Sequence, residues 1–484
     1  MSRRTFLQTS IAAAAVGSTG NSGTLQAQAG AVPRCKVLRA QGLDIVEAGR
    51  PVRLRGVNLG GWMLIEDYMI GLPWTEWKIR EQFRKVLGDE AYSAFFNAFD
   101  QAFIADDDIS FLAKQGFNVV RVPFNYRHFE DDMAPSQWIE SGFRQLDRVV
   151  NLCRKYNLWV ILDLHAAPGA QARDQNAGSA YGEAYLWYHR EFIDRTAALW
   201  AEIARRYSGD ATIAGYNLLC EPVTGNVPLL NELYLKIIQS IRKVDRDHLI
   251  LLDPNMWAKD IVTLHDELFA DPQVMPSLHH YFSEDAGFAS LAEYPVVVDG
   301  KSYDRAALEK TLDGKYDQRR IARPAMVGEF GVFRSLSQPF ATQIAITRDL
   351  VSIFEEKGWS WTMWCYKDLR DMGILTVRPD TPWRRFLEST QIAGFMRRYK
   401  EIENPFTQSV HSMLAETDVL ADARDQWIRE VSRAFDVPAL DFILRRLAER
   451  PLPELTEMAR SFAFASCEIH HDQLAIMMPF LSHS

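Results

Sequence analysis

Eight short apolar or β-branched runs recur along this chain between longer stretches of helical periodicity, and that alternation constrains the fold more than any other feature. In order they are Val52 to Asn58, Asn118 to Pro123, Trp159 to His165, Gly215 to Pro222, His248 to Pro254, Met275 to Tyr281, Ala325 to Gly331 and Trp359 to Tyr366. Helical patterning is expected after each of the first seven, as in Phe143 to Tyr156, Phe192 to Tyr207, Leu229 to Val244 and Thr342 to Lys357, and Thr381 to Arg398 follows the eighth. Strands separated by helices pair in parallel, and a parallel sheet needs both faces covered. Eight such units predict an α/β fold, a (β/α)8 TIM barrel closed on itself with its helices outside.

A barrel of this type needs about 250 residues or somewhat more, so 484 residues leave room for an extension rather than a second large domain. With 47% hydrophobic and 24% charged residues, the chain has ample side chain for one core. Val37 to Gly49 alternates around Gly42 and Gly49 and predicts a β-hairpin under the barrel. Composition changes again after Pro405, and Trp427, Val431, Phe435, Leu440, Leu444 and Leu447 keep helical spacing up to Pro451 and Pro453. The organisation expected is a targeting segment over 1–29, the barrel with its hairpin over 30–404 and a C-terminal helical extension over 405–484, whose helices pack on the barrel or form a homodimer surface.

Ser2-Arg3-Arg4-Thr5-Phe6-Leu7-Gln8 carries a twin-arginine pattern, Ile11 to Val16 is a short apolar stretch, and Ala27-Gln28-Ala29 offers a small-residue cleavage site. Export by that route to the periplasm or the outside is therefore expected. No later run reaches the roughly 18 apolar residues of a membrane span. A net charge of -9 supplies no positive field for phosphate backbones, which argues against nucleic acid as a partner. Cys35, Cys153, Cys220, Cys365 and Cys467 are odd in number and scattered, so neither a disulfide framework nor a structural zinc site is expected, although export leaves room for one disulfide.

The polar residues of the eight runs collect where each run stops. Arg121, His165, Glu221, His279, Tyr281, Glu329 and Trp364 all fall there, at the barrel face that holds active sites. Two of them are lone acids ending apolar runs, Glu221 in Gly215-Tyr216-Asn217-Leu218-Leu219-Cys220-Glu221-Pro222 and Glu329 in Pro324-Ala325-Met326-Val327-Gly328-Glu329-Phe330-Gly331. An unpaired buried carboxylate is costly, so each needs a counter-charge, a proton or a function. Retaining hydrolysis of a glycosidic bond uses such a pair about 5 to 5.5 Å apart, one protonating the leaving oxygen and the other attacking the anomeric carbon.

These runs resemble glycoside hydrolase family 5, particularly its exo-β-1,3-glucanase and β-glucosidase branches. The resemblance rests on Arg55-Gly56-Val57-Asn58-Leu59-Gly60-Gly61-Trp62 with Glu66, on Asn118-Val119-Val120-Arg121-Val122-Pro123, on Asp163-Leu164-His165-Ala166-Ala167-Pro168-Gly169-Ala170-Gln171, and on Trp364 in the eighth run. It implies that Glu221 is the acid/base and Glu329 the nucleophile, with Arg121 holding Glu329 ionised. His279 would approach the acid/base and Tyr281 the nucleophile; His165 would line the floor, Trp364 would form the wall for the sugar, and Glu66 would bind its hydroxyls. The chain departs from the family at Cys220, where an asparagine usually bonds the sugar 2-hydroxyl and a thiol is a weak substitute. The implied activity is cofactor-free hydrolysis of a β-linked glucan, oligosaccharide or glucoside, exo-acting by the likeness of the Gly-Gly-Trp and Pro-Gly-x-Gln segments. Endo-cleavage of β-1,4-glucan or mannan is the alternative enzyme reading, and a carbohydrate-binding protein on a decayed barrel is the non-enzyme one.

Asp106-Asp107-Asp108 and His470-His471-Asp472 are more simply a helix start and a solvated turn than metal sites, so no metal is expected. Neither a phosphate-binding glycine loop nor a serine-hydrolase elbow nor a zinc-protease helix occurs, which excludes those classes.

Overall fold

The computed structural model describes residues 36–281, 291–316, 321–331, 340–369, 372–416 and 421–481, so the targeting segment expected over 1–29 lies outside them. Eight parallel strands close into a barrel in chain order. They are β1 (Arg55–Asn58), β2 (Val119–Asn125), β3 (Trp159–Ala166), β4 (Ile213–Asn217), β5 (Leu249–Leu252), β6 (Val274–Tyr281), β7 (Met326–Gly331) and β8 (Ser360–Met363). Each predicted run contains its strand core, but four strands fall short of the apolar pattern by more than one residue. The first run divides, because Val52 belongs to the separate strand Arg50–Val52 and the barrel begins at Arg55. The fourth, fifth and eighth strands stop at Asn217, Leu252 and Met363. Glu221 and Trp364 therefore stand beyond the regular ladder, not in its last register positions.

The expected hairpin is a three-stranded antiparallel sheet, Arg39–Gln41, Asp44–Glu47 and Arg50–Val52. Its turns use Gly42 and Gly49 in the left-handed region, at φ 61° and 81°. Leu38 and Ile45 pack there with Leu54, Val119, Trp159, Ala214, Leu249, Met275 and Met326, which lie at the strands' amino-terminal ends. The sheet thus plugs the amino-terminal face of the barrel and leaves open the carboxyl-terminal face, where active sites of such barrels lie.

Amphipathic helices cover the outside. Glu140–Lys155 buries Phe143, Leu146, Val149, Val150 and Cys153 at helical spacing, each worth roughly 1.5–3 kcal/mol of apolar burial for the larger side chains. The expected helix after the fifth strand is not formed as such: the crossover is the short helix Asn255–Ala258 and the 3-10 turns Ile261–Thr263 and Asp266–Ala270. Side chains take over the local hydrogen bonding there. The Asn255 amide pairs with both backbone groups of Thr224, and Thr263 Oγ accepts from Asn255 N–H at 3.0 Å, which competes with helix continuation.

The boundary expected at 404/405 is not a break. Thr390–Ala415 runs through Pro405 as one helix, followed by Ala421–Leu447, Leu452–Ala459 and His471–Leu481. Leu440, Leu444 and Leu447 are buried as their spacing predicted, whereas the side chains of Trp427 and Val431 lie outside the described ones. These helices belong to the same core as the barrel, with Phe462 against Phe99, Phe103 and Trp383 at ring separations of 4.9, 5.6 and 6.3 Å. A buried ammonium ties the pieces together: Lys367 Nζ donates to Asp108 Oδ1 and to the carbonyls of Phe103 and Phe462 at 2.7, 2.7 and 2.8 Å. The extension also contains a strand that the helical pattern did not suggest, Cys467–Ile469, antiparallel to Leu375–Val377.

Candidate active site

The carboxyl face of the barrel gathers the nine residues singled out in the sequence, eight around the two carboxylates and Glu66 at the rim, and strand register explains why. Arg121 lies opposite Asn58, Asp163 opposite Asn217, and Glu329 opposite His279. In β7 the pairing jumps from Val327 against Leu278 to Glu329 against His279, so Gly328 is the extra residue of a bulge that re-aims Glu329. A Cβ at 328 would meet Ser277 Oγ at 2.4 Å and His279 Nε2 at 3.2 Å, so a larger residue has to displace them. The bulge carbonyl is not orphaned, because Asn58 Nδ2 and Thr362 Oγ1 donate to it at 3.0 and 2.5 Å.

Glu221 follows the end of β4 at φ 49°, a left-handed conformation that a residue with a side chain adopts at a cost. Its N–H donates to Asp253 Oδ2 at 3.1 Å, which helps hold it there. One carboxylate oxygen lies 2.8 Å from His279 Nδ1, and the other accepts from Asn176 Nδ2 at 3.0 Å. Glu329 accepts from Arg121 Nη1 and from the Tyr281 hydroxyl, both at 2.6 Å, one on each oxygen. His279 Nδ1 is also 3.5 Å from Glu329 Oε2. The two distances from that nitrogen, laid end to end, keep the nearest oxygens of Glu221 and Glu329 within the roughly 6.5 Å at which inverting spacings begin.

Charge balance sets the protonation states. Burial opposes ionisation of Glu329, but His279, Arg121 and His165, with the Tyr281 hydrogen bond, outweigh it and hold the carboxyl well below its usual range. For His279, burial favours the neutral ring, yet Glu329 and Asp253 and the bond to Glu221 raise it to about 9, which favours the imidazolium with Nδ1 donating to Glu221. Its Nε2 faces Asp253 Oδ2 at 3.2 Å. Arg121 is fully buried, with Asp163 Oδ1 at 2.9 Å, Asn58 Oδ1 at 2.9 Å and Asn217 Oδ1 at 3.0 Å as its other partners. Its planar fork hydrogen-bonds Asn217, Asn58 and Glu329 through Nε and Nη1 and sets Nη2 beside Asp163 as an ion pair, an arrangement a lysine could not reproduce.

His165 Nδ1 lies 2.8 Å from Asp163 Oδ2, and its ring stacks on Trp364 at 5.2 Å and 19°. The Trp364 indole N–H donates to Tyr68 Oη at 2.6 Å, leaving the ring as a fixed buried wall. Cys220 Sγ sits between His165 Nε2 at 3.7 Å and Glu329 Oε1 at 3.6 Å. Burial, then the Glu329 and Asp163 charges, push its thiol well up, so it is a neutral, weak donor. Glu66 is the outlier: half-buried ahead of the short helix Asp67–Ile70, it stands at the rim, where burial and then Glu329, Asp67 and Glu221 raise its carboxyl well above the usual range.

Cys220 belongs to two groups whose donor atoms lie within 4.8 Å, one with Asp163 and His165 and one with His279 and Glu329. Arg121 lies 2.9 Å from Asp163 of the first and 2.6 Å from Glu329 of the second, and a guanidinium there opposes a metal ion. The two sequence clusters weighed as metal ligands are otherwise engaged: Asp106, Asp107 and Asp108 open the helix Asp106–Lys114, and His470 Nε2 meets Thr376 Oγ1 at 2.8 Å.

Several members of this network were not singled out in the sequence. Asn58, Asp163, Asn217 and Asp253 obey the same strand-end rule and could have been found by it; Asn176, on the long loop after β3, carries no such signal.

A closed parallel barrel that sets two buried carboxylates on either side of one imidazole at its carboxyl face has the parts of a glycosidase site. Residues 86–370 match the family model described as cellulase, glycosyl hydrolase family 5. A β-xylosidase of Phanerodontia chrysosporium is 32% identical over 90% of this chain and 96% of that protein. The chain therefore belongs to glycosyl hydrolase family 5 and is an O-glycosyl hydrolase. A probable glucan 1,3-β-glucosidase A of Aspergillus clavatus is 27% identical over 57% of this chain and 64% of its own length, and endoglucanase C of Acetivibrio thermocellus is 24% identical over 65% and 91%. A crystal structure of a glycoside hydrolase, 20% identical, shares the fold with a TM-score of 0.50 over 67% of this chain and 91% of that one.

Proposed function

We propose that Glu329 attacks the anomeric carbon of a β-linked sugar while Glu221 protonates the leaving oxygen, and that water, deprotonated by Glu221, then releases the glycosyl-enzyme. His279 Nδ1 carries this reading, because it lies 2.8 Å from one carboxylate and 3.5 Å from the other and so sets a sugar-sized gap between them. Arg121 and Tyr281 keep the nucleophile charged, Trp364 supports the sugar ring, and His165, Cys220 and Glu66 line the rest of the pocket. No cofactor enters the cycle.

Exo action is the part of the proposal that concerns product. The C-terminal helix Ala421–Leu447 carries Asp436, which bonds Gln175 of the β3 loop at 3.3 Å and feels the charge of Asp67, next to Glu66. A helix joined to the loop that carries Asn176 supports a pocket bounded on that side, as exo action requires. The named activity of the Phanerodontia relative places a β-xyloside beside the β-glucoside in the panel. Purified enzyme is expected to release single sugars as the β-anomer from aryl β-glycosides and from laminarin. Mixed oligomers would reject exo action, a first-formed α-anomer would reject double displacement, and sugar binding without turnover would favour the decayed-barrel reading. Glu329→Gln should lower turnover by about a thousandfold or more.

Export by the twin-arginine route, supported by Arg3-Arg4 and Ala27-Gln28-Ala29, is tested by replacing both arginines with lysine and following the protein between cytoplasm and medium. Pairing of two copies through the C-terminal helices is supported by the exposed Ile402, Phe406, Met413 and Val437; a monomer mass in solution would remove it.

A further inference from the structure

Asn176 touches the proposed acid/base from a long loop, and its place depends on what holds that loop. Its own amide is oriented by Ala177 N–H, which donates to Asn176 Oδ1 at 3.0 Å and turns the NH2 toward Glu221. The loop is anchored at its base by Gln171, whose Nε2 donates to the carbonyls of His165 and Cys220 at 2.6 and 2.8 Å. Beyond the tip, the Trp77 indole donates to the Gly178 carbonyl at 3.0 Å, and the Trp257 indole donates to Asp174 Oδ2 at 2.8 Å. The remaining side is held from outside the barrel. Arg433, buried in the C-terminal helix, donates through Nη2 to the Arg173 carbonyl at 2.5 Å, and Asp436, one turn on, accepts from Gln175 Nε2 at 3.3 Å. Both contacts lie on the amino-terminal side of Asn176, the second at the residue next to it.

We infer that Arg433 and Asp436 are positioning residues for the hydrolysis: they clamp the Arg173–Gln175 segment so that Asn176 presents its amide N–H to Glu221. This rests on the reading of Glu221 as the acid/base. It gives the C-terminal helices a part in catalysis that their sequence, read as packing or dimer surface, does not announce. A hydrogen bond donated to a carboxylate favours its charged form, so loss of the clamp is read in the pH profile as well as in kcat.

Asn176→Ala is the reference variant, expected to lower kcat on an aryl β-glycoside with a poor leaving group by on the order of tenfold or more and to move the alkaline limb of kcat/KM upward. Arg433→Met should lower kcat by about threefold to tenfold, as expected for a weaker indirect loss, with KM unchanged and the limb moved in the same direction. Arg433→Lys, which retains a donor, should recover most of the activity, and Gln175→Ala with Asp436→Ala should equal either alone. The double variant Asn176→Ala/Arg433→Met should be no worse than Asn176→Ala. Wild-type kcat and pH profile in Arg433→Met, or fully additive effects in the double variant, would overturn the clamp. Should the wild-type enzyme show no turnover, the functional reading fails first. The clamp is then read by amide hydrogen exchange, where Arg433→Met should speed exchange over 173–178 by about tenfold, and unchanged exchange in a cooperatively folded variant would sink it.

Discussion

Replacing His279 by asparagine removes a buried cation that faces three carboxylates, Glu221, Glu329 and Asp253, at 2.8, 3.5 and 3.2 Å. An imidazole ordinarily titrates near 6.5, and here it is raised to about 9. A raised pKa means that the folded state holds the proton more tightly than the unfolded one. The stabilisation is thus complete below about pH 6.5, declines between 6.5 and 9, and is gone above that range. At about 1.4 kcal/mol per pH unit, the shift corresponds to about 3 kcal/mol. Asparagine keeps an N–H near the Nδ1 position but cannot titrate, so wild type minus His279→Asn isolates the imidazole's contribution. Urea unfolding of both proteins at pH 6, 7.5, 9 and 10 is expected to show the wild-type advantage falling by about 3 kcal/mol from the lowest pH to the highest. A gap that stays constant across the series would refute the claim that His279 is a cation in the folded enzyme.

Glu221→Gln is expected to cut kcat/KM by about a hundredfold or more for substrates with poor leaving groups, and far less for activated aryl glycosides that need no proton; equal losses on both would deny Glu221 the acid's part. Cys220→Asn should raise kcat/KM on β-glucosides by roughly tenfold, because an amide replaces a weak thiol contact at the 2-hydroxyl, and parallel assays on a 2-deoxy glucoside should show no gain. Lys367→Met strips Asp108 of its ammonium partner and two carbonyls of their donor, and should cost about 3–5 kcal/mol in denaturant titration. Gly328→Ala should destabilise by about 1–3 kcal/mol through overpacking against Ser277 and depress kcat more than KM, since the shift acts on Glu329.

The barrel was legible because its signal is local. An apolar run such as Val119–Asn125 or Trp159–Ala166 advertises a doubly covered strand through neighbouring residues alone, and Glu221 and Glu329 announced themselves as acids where such runs stop. Cys220 was likewise visible as a departure from a family pattern. The fifth crossover misled because helical spacing carries no notice that the Asn255 and Thr263 side chains compete for the backbone. Pro405 misled in the opposite direction, since a proline inside a long helix can be absorbed when the flanking turns are packed.

Sequence by itself determined the eight parallel strands and the places where Glu221 and Glu329 end their runs, consequences of spacing along a few consecutive residues. The tertiary structure alone decided the bulge at Gly328 that aims Glu329, the imidazolium shared between the acids, the Asn176 amide on Glu221 and the hold of Arg433 and Asp436 on its loop. Those depend on strand register and on contacts between segments hundreds of residues apart, such as Arg173 and Arg433. Such meetings are set by how the whole core packs, and no short stretch of chain contains that information.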